Sequence, residues 1–378
     1  MTRARDTADL LTFAPTEQAA ESDNALPLIH NGAMMVSQRG TSFASLSSGA
    51  NYTLDRYMFA VNEGTFTVTQ HSDGPTGSGF KKCLKVDCTT ADASLTSDGA
   101  INIVQRQEGQ NLQSMRKGYS DAKKVTWAFW VKTNKTGNYV AELKDHNNTR
   151  TVGQVFSVSS ADTWEKKVLV FPADTSTSDK FDDDNNKSLS CTIWLAAGTN
   201  YTSGTLDTTW ADETTANRAA GLNVNIADST DNEFLTTGWQ LEIGEYTATT
   251  IPPFQHVNMA GDLMRCFRYF EAHAKGNDQL IGLGGMYTGS HYDCVINTIA
   301  EKRTTATLEV PDATNYFQIR IDNEVKTGDT IDTIGGRSFF KRQHLQITSH
   351  IPAGISQGEN GLLATNNASS YVYVKSEL

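Results

Sequence analysis

Trp194, Tyr201 and Trp210 flank or occupy a stretch rich in Thr, Asn and Asp. Indole and phenol faces stack on the apolar faces of sugar rings while Asp and Asn bond hydroxyls, so these three are the candidate ligand-binding residues. The run Asp182-Asp183-Asp184-Asn185-Asn186 supplies hard oxygen donors, which makes Asp182, Asp183 and Asp184 the candidate ligands of a structural calcium ion. The run lacks the spaced ligands and closing Glu of an EF-hand, and a solvated turn has the same composition. No cofactor is expected beyond that ion. Glu242, on the strand face opposite Leu241 and Ile243, is the best single candidate for one of the paired carboxylates of glycoside hydrolysis. The eight histidines fall outside any HxH or HxxxH spacing. Gly282-Leu283-Gly284-Gly285 is not followed by a helical pattern, and no nucleophile elbow, P-loop or dinucleotide fingerprint occurs. No catalytic residue is assigned, and a non-enzymatic role is expected.

The net charge of -11 and pI near 5.2 argue against a nucleic-acid-binding surface, because phosphate neutralisation needs clustered Lys and Arg. No apolar run approaches the roughly 18 to 20 residues that span a bilayer, so membrane insertion is not expected. The segment Met1 to Phe13 is charged throughout and has no apolar core, unlike a secretion signal. The sequons at Asn51, Asn134, Asn147 and Asn200 and the ending Lys375-Ser376-Glu377-Leu378 are discounted for the same reason. Five cysteines, Cys83, Cys88, Cys191, Cys266 and Cys294, are an odd number without a CxxC element. Free, mostly buried thiols in a reducing cytoplasm are expected.

The elements that must position these groups are strands. Val125, Trp127, Phe129 and Val131 alternate with Thr126, Ala128 and Trp130, which puts the first set in a core and leaves Trp130 on the opposite face under a neighbouring loop. Similar signals run from Leu54 to Ile243, separated by Gly, Asn, Asp and Ser clusters, with long loops over 172–188 and 198–221. Such a series indicates a jelly-roll β-sandwich. After Ile251-Pro252-Pro253-Phe254 the pattern changes: Met259, Leu263, Cys266, Phe267 and Phe270 recur at helical spacing, and further strands follow. Glycine-rich turns are expected at Gly282 to Gly289 and at Gly335-Gly336. The expected fold is therefore all-β: a jelly roll over 28–255, a smaller β-sandwich over 256–378, and an N-terminal arm over 1–27 containing a short amphipathic helix at 2–13.

Several phrases taken together resemble the tail-fibre and other virion structural proteins of tailed bacteriophages, especially those of marine and cyanobacterial hosts. They are Asn31 to Gly40, Tyr52 to Tyr57, Trp127 to Gly137, Asp162 to Lys167, Thr237 to Gly244 and Asp262 to Phe270, in an order and spacing that cover about residues 28 to 270. The opening Thr2-Arg3-Ala4-Arg5-Asp6-Thr7-Ala8-Asp9-Leu10 also looks like the start of fibre-associated chains. The resemblance implies a carbohydrate-binding-module-like jelly roll in a virion appendage, commonly a homotrimer, assembled in the host bacterial cytoplasm. It implies a tail-fibre or receptor-binding component that meets a host surface glycan. Arg3, Arg5, Leu10, Leu11 and Phe13 would dock the arm to other virion proteins. It carries over no catalytic residues. A capsid decoration or head-fibre protein is the alternative. A polysaccharide depolymerase ranks third, since the repeats of a long parallel β-helix are missing.

Overall fold

The period-two signals of the sequence become strands that hydrogen-bond into four sheets. The computed structural model describes residues 27–311, 315–321, 324–328, 333–334, 342–347 and 354–378. The arm residues Arg3, Arg5, Leu10, Leu11 and Phe13, and the helix expected at 2–13, lie outside the described residues. The chain divides into two units, Met1–Val257 and Asn258–Leu378. Among the described residues no helix is long and apolar enough to cross a membrane.

The first unit contains β1 (Ser42–Leu46), β2 (Gly49–Tyr52), β3 (Tyr57–Val61), β4 (Thr65–His71), β5 (Cys83–Thr90), β6 (Ala100–Glu108), β7 (Val125–Thr133), β8 (Gly137–Asp145), β9 (Arg150–Val158), β10 (Glu165–Phe171), β11 (Lys187–Ala197), β12 (Ala211–Asp212) and β13 (Glu233–Ile243). They form a six-stranded sheet in the order β1-β4-β5-β13-β7-β10 and a seven-stranded sheet in the order β12-β9-β8-β11-β6-β3-β2. Every pairing is antiparallel, and the chain repeatedly crosses between the two sheets, as a jelly roll requires. β1 and β2 are short, mostly exposed edge strands of Ser, Gly and Ala, so no alternation marks them in the sequence.

Between the sheets lies one apolar core that takes in Val125, Trp127, Phe129 and Val131 from β7, as the alternation predicts. Trp130 is half-buried on the other face of β7. The core gains a further aromatic group from an irregularity in β13. The register shifts between Thr237 and Gln240, and Gly238 there takes a φ of +67°, a region costly for residues with a Cβ. An added Cβ would also stand 2.7 Å from Phe80 Cζ. The bulge turns Trp239 inward, where its ring lies 4.9 Å from Trp127 and 5.1 Å from Tyr57 of the facing sheet. Its Nε1 donates to Thr236 Oγ1 at 2.8 Å, so the buried indole keeps its polar atom satisfied.

The second unit starts with α1 (Met259–Phe267), whose N-cap Asn258 accepts a hydrogen bond from Gly261 N at 2.7 Å. There follow β14 (Phe270–Lys275), β15 (Leu280–Thr288), β16 (His291–Asn297), β17 (Thr307–Glu309), β18 (Phe317–Ile321), β19 (Glu324–Gly328), β20 (Thr333–Ile334), β21 (Arg342–Ile347), β22 (Asn360–Thr365) and β23 (Tyr371–Lys375). A three-stranded sheet, β14-β23-β17, and a seven-stranded sheet, β19-β18-β22-β15-β16-β21-β20, enclose a core of Ile281, Met286, Tyr292, Ile296, Phe317, Leu363 and their neighbours. The turn expected at Gly282 to Gly289 is instead most of β15. A Cβ on Gly284 would sit 2.2 Å from Asp293 O of the paired strand, so glycine here serves close strand approach and not a change of direction.

Trp239→Ala is expected to lower the unfolding free energy by about 3–5 kcal/mol, the usual cost of truncating a buried aromatic. Urea titration followed by far-UV circular dichroism checks this, and a loss below about 1 kcal/mol would show that the bulge does not anchor the sandwich.

Candidate functional site

On the outer face of the first unit's seven-stranded sheet, the register lines up Ala60, Asn102, Trp194, Val140 and Val155 across β3, β6, β11, β8 and β9. A sugar-binding platform would need that row open. Its middle is closed: Trp194 is 2% exposed, and Val140, Trp194 and Ala219 form a small core of their own against Tyr201, Leu206 and Leu222. The Tyr201 ring lies 5.1 Å from Trp194 and the Arg218 guanidinium 5.2 Å from it. Arg218 also donates to both oxygens of Glu142, at 2.7 and 2.8 Å, and Trp194 Nε1 donates to Glu142 Oε2 at 3.2 Å. The segment expected to display aromatic side chains thus folds down onto the sheet. The Trp194 indole is buried between Tyr201 and Arg218, and Tyr201 packs over it.

Trp210 belongs to a different corner. Its Nε1 donates to Pro172 O at 3.0 Å, and its ring lies 5.0 Å from the ammonium of Lys117. That ammonium is buried, 2.6 Å from Asp145 Oδ2 and 3.1 Å from Asp174 Oδ2, and it donates to Asp179 O at 2.6 Å. Arg150 adds a second cation, 3.1 Å from Asp174 and 3.1 Å from Asp179. The acidic run lies beside this corner with its carboxylates dispersed. Asp182 Oδ2 accepts from Asn147 Nδ2 at 2.7 Å, Asp184 Oδ1 accepts from Asn186 N at 2.9 Å, and Asp183 is exposed. Among the described residues no group of three or more His, Cys, Asp or Glu could hold a metal ion. Consecutive residues of a tight turn point apart, so Asp182, Asp183 and Asp184 are not gathered into one set, and the positive charge of the corner comes from Lys117 and Arg150.

Glu242 is buried, accepts from Gln240 Nε2 at 2.8 Å, and burial pushes its carboxyl above the usual range. The five cysteines are free and buried, with Cys83 and Cys294 each pushed up to about 12 by burial. These thiols are inert packing groups.

Among the described residues, the second unit has an outer sheet face that no other element covers. On its seven-stranded sheet, Val295 lies opposite His344, Asp293 opposite Gln346 and Asn297 opposite Arg342. Cys294, Ile296, Leu345 and Ile347 point the other way, into the core, so strict alternation sends Asp293, Val295, His344 and Gln346 outward. With Tyr287 of β15 they line a cavity of about 470 Å³. Small-molecule sites run from about 300 to 1,000 Å³ and combine apolar walls with a few convergent polar groups. Tyr287 is 71% exposed and Val295 56% exposed, which presents an aromatic edge and an aliphatic floor. Asp293 Oδ1 accepts from Gln346 Nε2 at 2.8 Å, and His344 Nε2 lies 3.3 Å from Asp293 Oδ2. The sequence reading missed this site, because Tyr287 stood in a supposed turn and the polar residues of β16 and β21 converge only through strand pairing.

No family model matches the chain, and no curated protein matches it. Among solved structures it is similar to the enzymatically active domain of bacteriophage CBA120 tailspike protein 4, at 10% identity and a TM-score of 0.30, over 57% of this chain and 21% of that one. It is also similar to a putative sugar binding protein from Bacteroides thetaiotaomicron, at 13% identity and a TM-score of 0.33, over 58% of this chain and 100% of that one. A third is the family 11 carbohydrate-binding module of a Clostridium thermocellum cellulase, at 13% identity and a TM-score of 0.26, over 53% of this chain and 96% of that one.

Two substitutions test the internal charge networks. Lys117→Met removes the ammonium from between two buried carboxylates and is expected to cost about 3–5 kcal/mol in urea unfolding; a cost under about 1 kcal/mol would mean that water or Arg150 replaces it. His146 Nε2 lies 2.7 Å from Ser190 Oγ, and burial, then the charges of Lys187, Lys144, Arg106 and Arg218, push the imidazole down from 6.5 to about 3. The unfolded chain therefore takes up a proton at this residue before the folded one, and stability is lost as pH falls from 6.5 towards 3. Urea midpoints measured over that range are expected to fall less steeply in His146→Gln; parallel wild-type and variant curves would contradict it.

Proposed function

We propose that the chain is a non-enzymatic structural protein of a bacteriophage virion, a tail-fibre or receptor-binding component that contacts host surface glycans. The observation that carries the contact is the open cavity on the second unit's sheet, with Tyr287 and Val295 offering apolar surface and Asp293, His344 and Gln346 offering hydrogen-bonding groups. A pyranose has this mixed character: C–H faces that pack on aromatic or aliphatic surface and a rim of hydroxyls that need donors and acceptors. The resemblance of the phrases from Asn31 to Phe270 supports the virion setting, and the all-β architecture accords with it.

In this reading the chain assembles as a homotrimer, and each weak saccharide contact gains from the other two by effective concentration. The arm containing Arg3, Arg5, Leu10, Leu11 and Phe13 docks the assembly to other virion proteins. The first unit serves as a scaffold, since Trp127, Trp194 and Trp239 are buried in its cores.

Immunogold labelling of intact particles is expected to place the chain on the tail, and Tyr287→Ala is expected to weaken adsorption of purified protein to host cells about tenfold, the effect of losing a stacking contact worth about 1–1.5 kcal/mol. Label over the capsid would favour the decoration alternative. New reducing ends on incubation with host envelope polysaccharide would contradict the non-enzymatic reading.

A further inference from the structure

The cavity on the second unit's sheet is chemically polarised along its strands, and that polarity specifies its ligand beyond a saccharide in general. Asp293 and Gln346 form one cross-strand pair and Asn297 and Arg342 another, four residues further along, with Val295 and His344 midway between them. Four residues of strand separate the pairs by about 13 Å, more than one sugar ring spans, so the two ends meet successive residues of a polymer. At one end the Asp293 carboxylate is already engaged, accepting from Gln346 Nε2 at 2.8 Å and facing His344 Nε2 at 3.3 Å. It is the sole acid among the described residues that line the cavity. At the other end Arg342 is exposed and lines the wall, and its strand partner Asn297 carries no charge.

A guanidinium presents a planar fork of donors that matches a carboxylate in two parallel bonds, which hydroxyls cannot reproduce. From this juxtaposition we propose that the site takes a carboxylated sugar, a hexuronic acid residue of an acidic polysaccharide. Its ring lies over Val295 with its carboxylate at Arg342, and the hydroxyls of the adjoining sugar meet Asp293 and Gln346. Tyr287 borders the next residue of the polymer. This inference rests on the glycan-binding reading of the same cavity and adds the charge of the ligand to it.

The test is calorimetric titration of the full chain with tetragalacturonate, neutral galactotetraose and galactose 6-phosphate. Charge-assisted hydrogen bonds contribute about 1.5–3 kcal/mol, so tetragalacturonate is expected to bind about ten- to a hundredfold tighter than the neutral tetramer. Arg342→Gln is expected to abolish that preference, so that both tetramers bind the variant alike, while Arg342→Lys retains part of it, because an ammonium keeps the charge without the fork. Since Arg342 is exposed, the variants are expected to keep the wild-type circular dichroism and urea midpoint. Equal binding of both tetramers would overturn the proposal and leave the glycan reading standing. So would a preference that survives in Arg342→Gln, or a stronger response to the phosphate. Binding of none of the three would overturn the glycan reading together with the inference.

Discussion

Strict alternation of side chains along antiparallel strands is the constraint on which this molecule depends. Each strand that contributes one face to a core must send its other face outward, and a one-residue slip would exchange the two. Both units follow it except at bulges such as that at Gly238, and they differ in what happens to the outward face. In the first, Trp194 points away from the main core, and the 198–222 segment packs over it to make a second, smaller core with Val140 and Ala219. In the second, Val295 and Tyr287 point away from the core and stay open. An outward aromatic in a β-sandwich is therefore either covered scaffold or available surface, and the loop that follows decides which.

Covered faces carry a cost in charge, which both units meet with buried cations set against carboxylates. Lys117 sits between Asp145 and Asp174, and in the second unit Lys302 Nζ lies 2.7 Å from Glu271 Oε2, both side chains wholly buried. Burial pushes the Glu271 carboxyl up, but the hydrogen bond from His273 and the Lys302 charge bring it below the ordinary value. Such pairs are weak contributors to net stability and strong determinants of which arrangement is tolerated, because removing one partner strands the other. They fix the loops that close each sandwich.

Much of the architecture was legible in the sequence. The alternation at Val125 to Val131, Lys166 to Phe171 and Phe234 to Ile243 became β7, β10 and β13 with little change of boundary, and the apolar spacing from Met259 to Phe267 became α1. What failed to read was glycine with a packing role. Gly284 resembles a turn residue, yet it lets β15 approach Asp293, and Gly238 resembles a strand breaker, yet it delivers Trp239 to the core. The candidate site was illegible for a related reason. Asp293 and Gln346 are 53 positions apart, and only strand register sets them side by side. Trp194 was attractive in sequence because residue type says nothing of what a following loop will cover.

In the proposed function, saccharide contact belongs to the outer face of β16 and β21 and not to the tryptophans of the first unit. A crystal structure of the full chain soaked with an oligosaccharide of the host envelope tests it most directly. The account predicts sugar density over Val295, between Tyr287 and Arg342. Sugar density against Trp194 or Trp210, with the second unit's cavity empty, would contradict it.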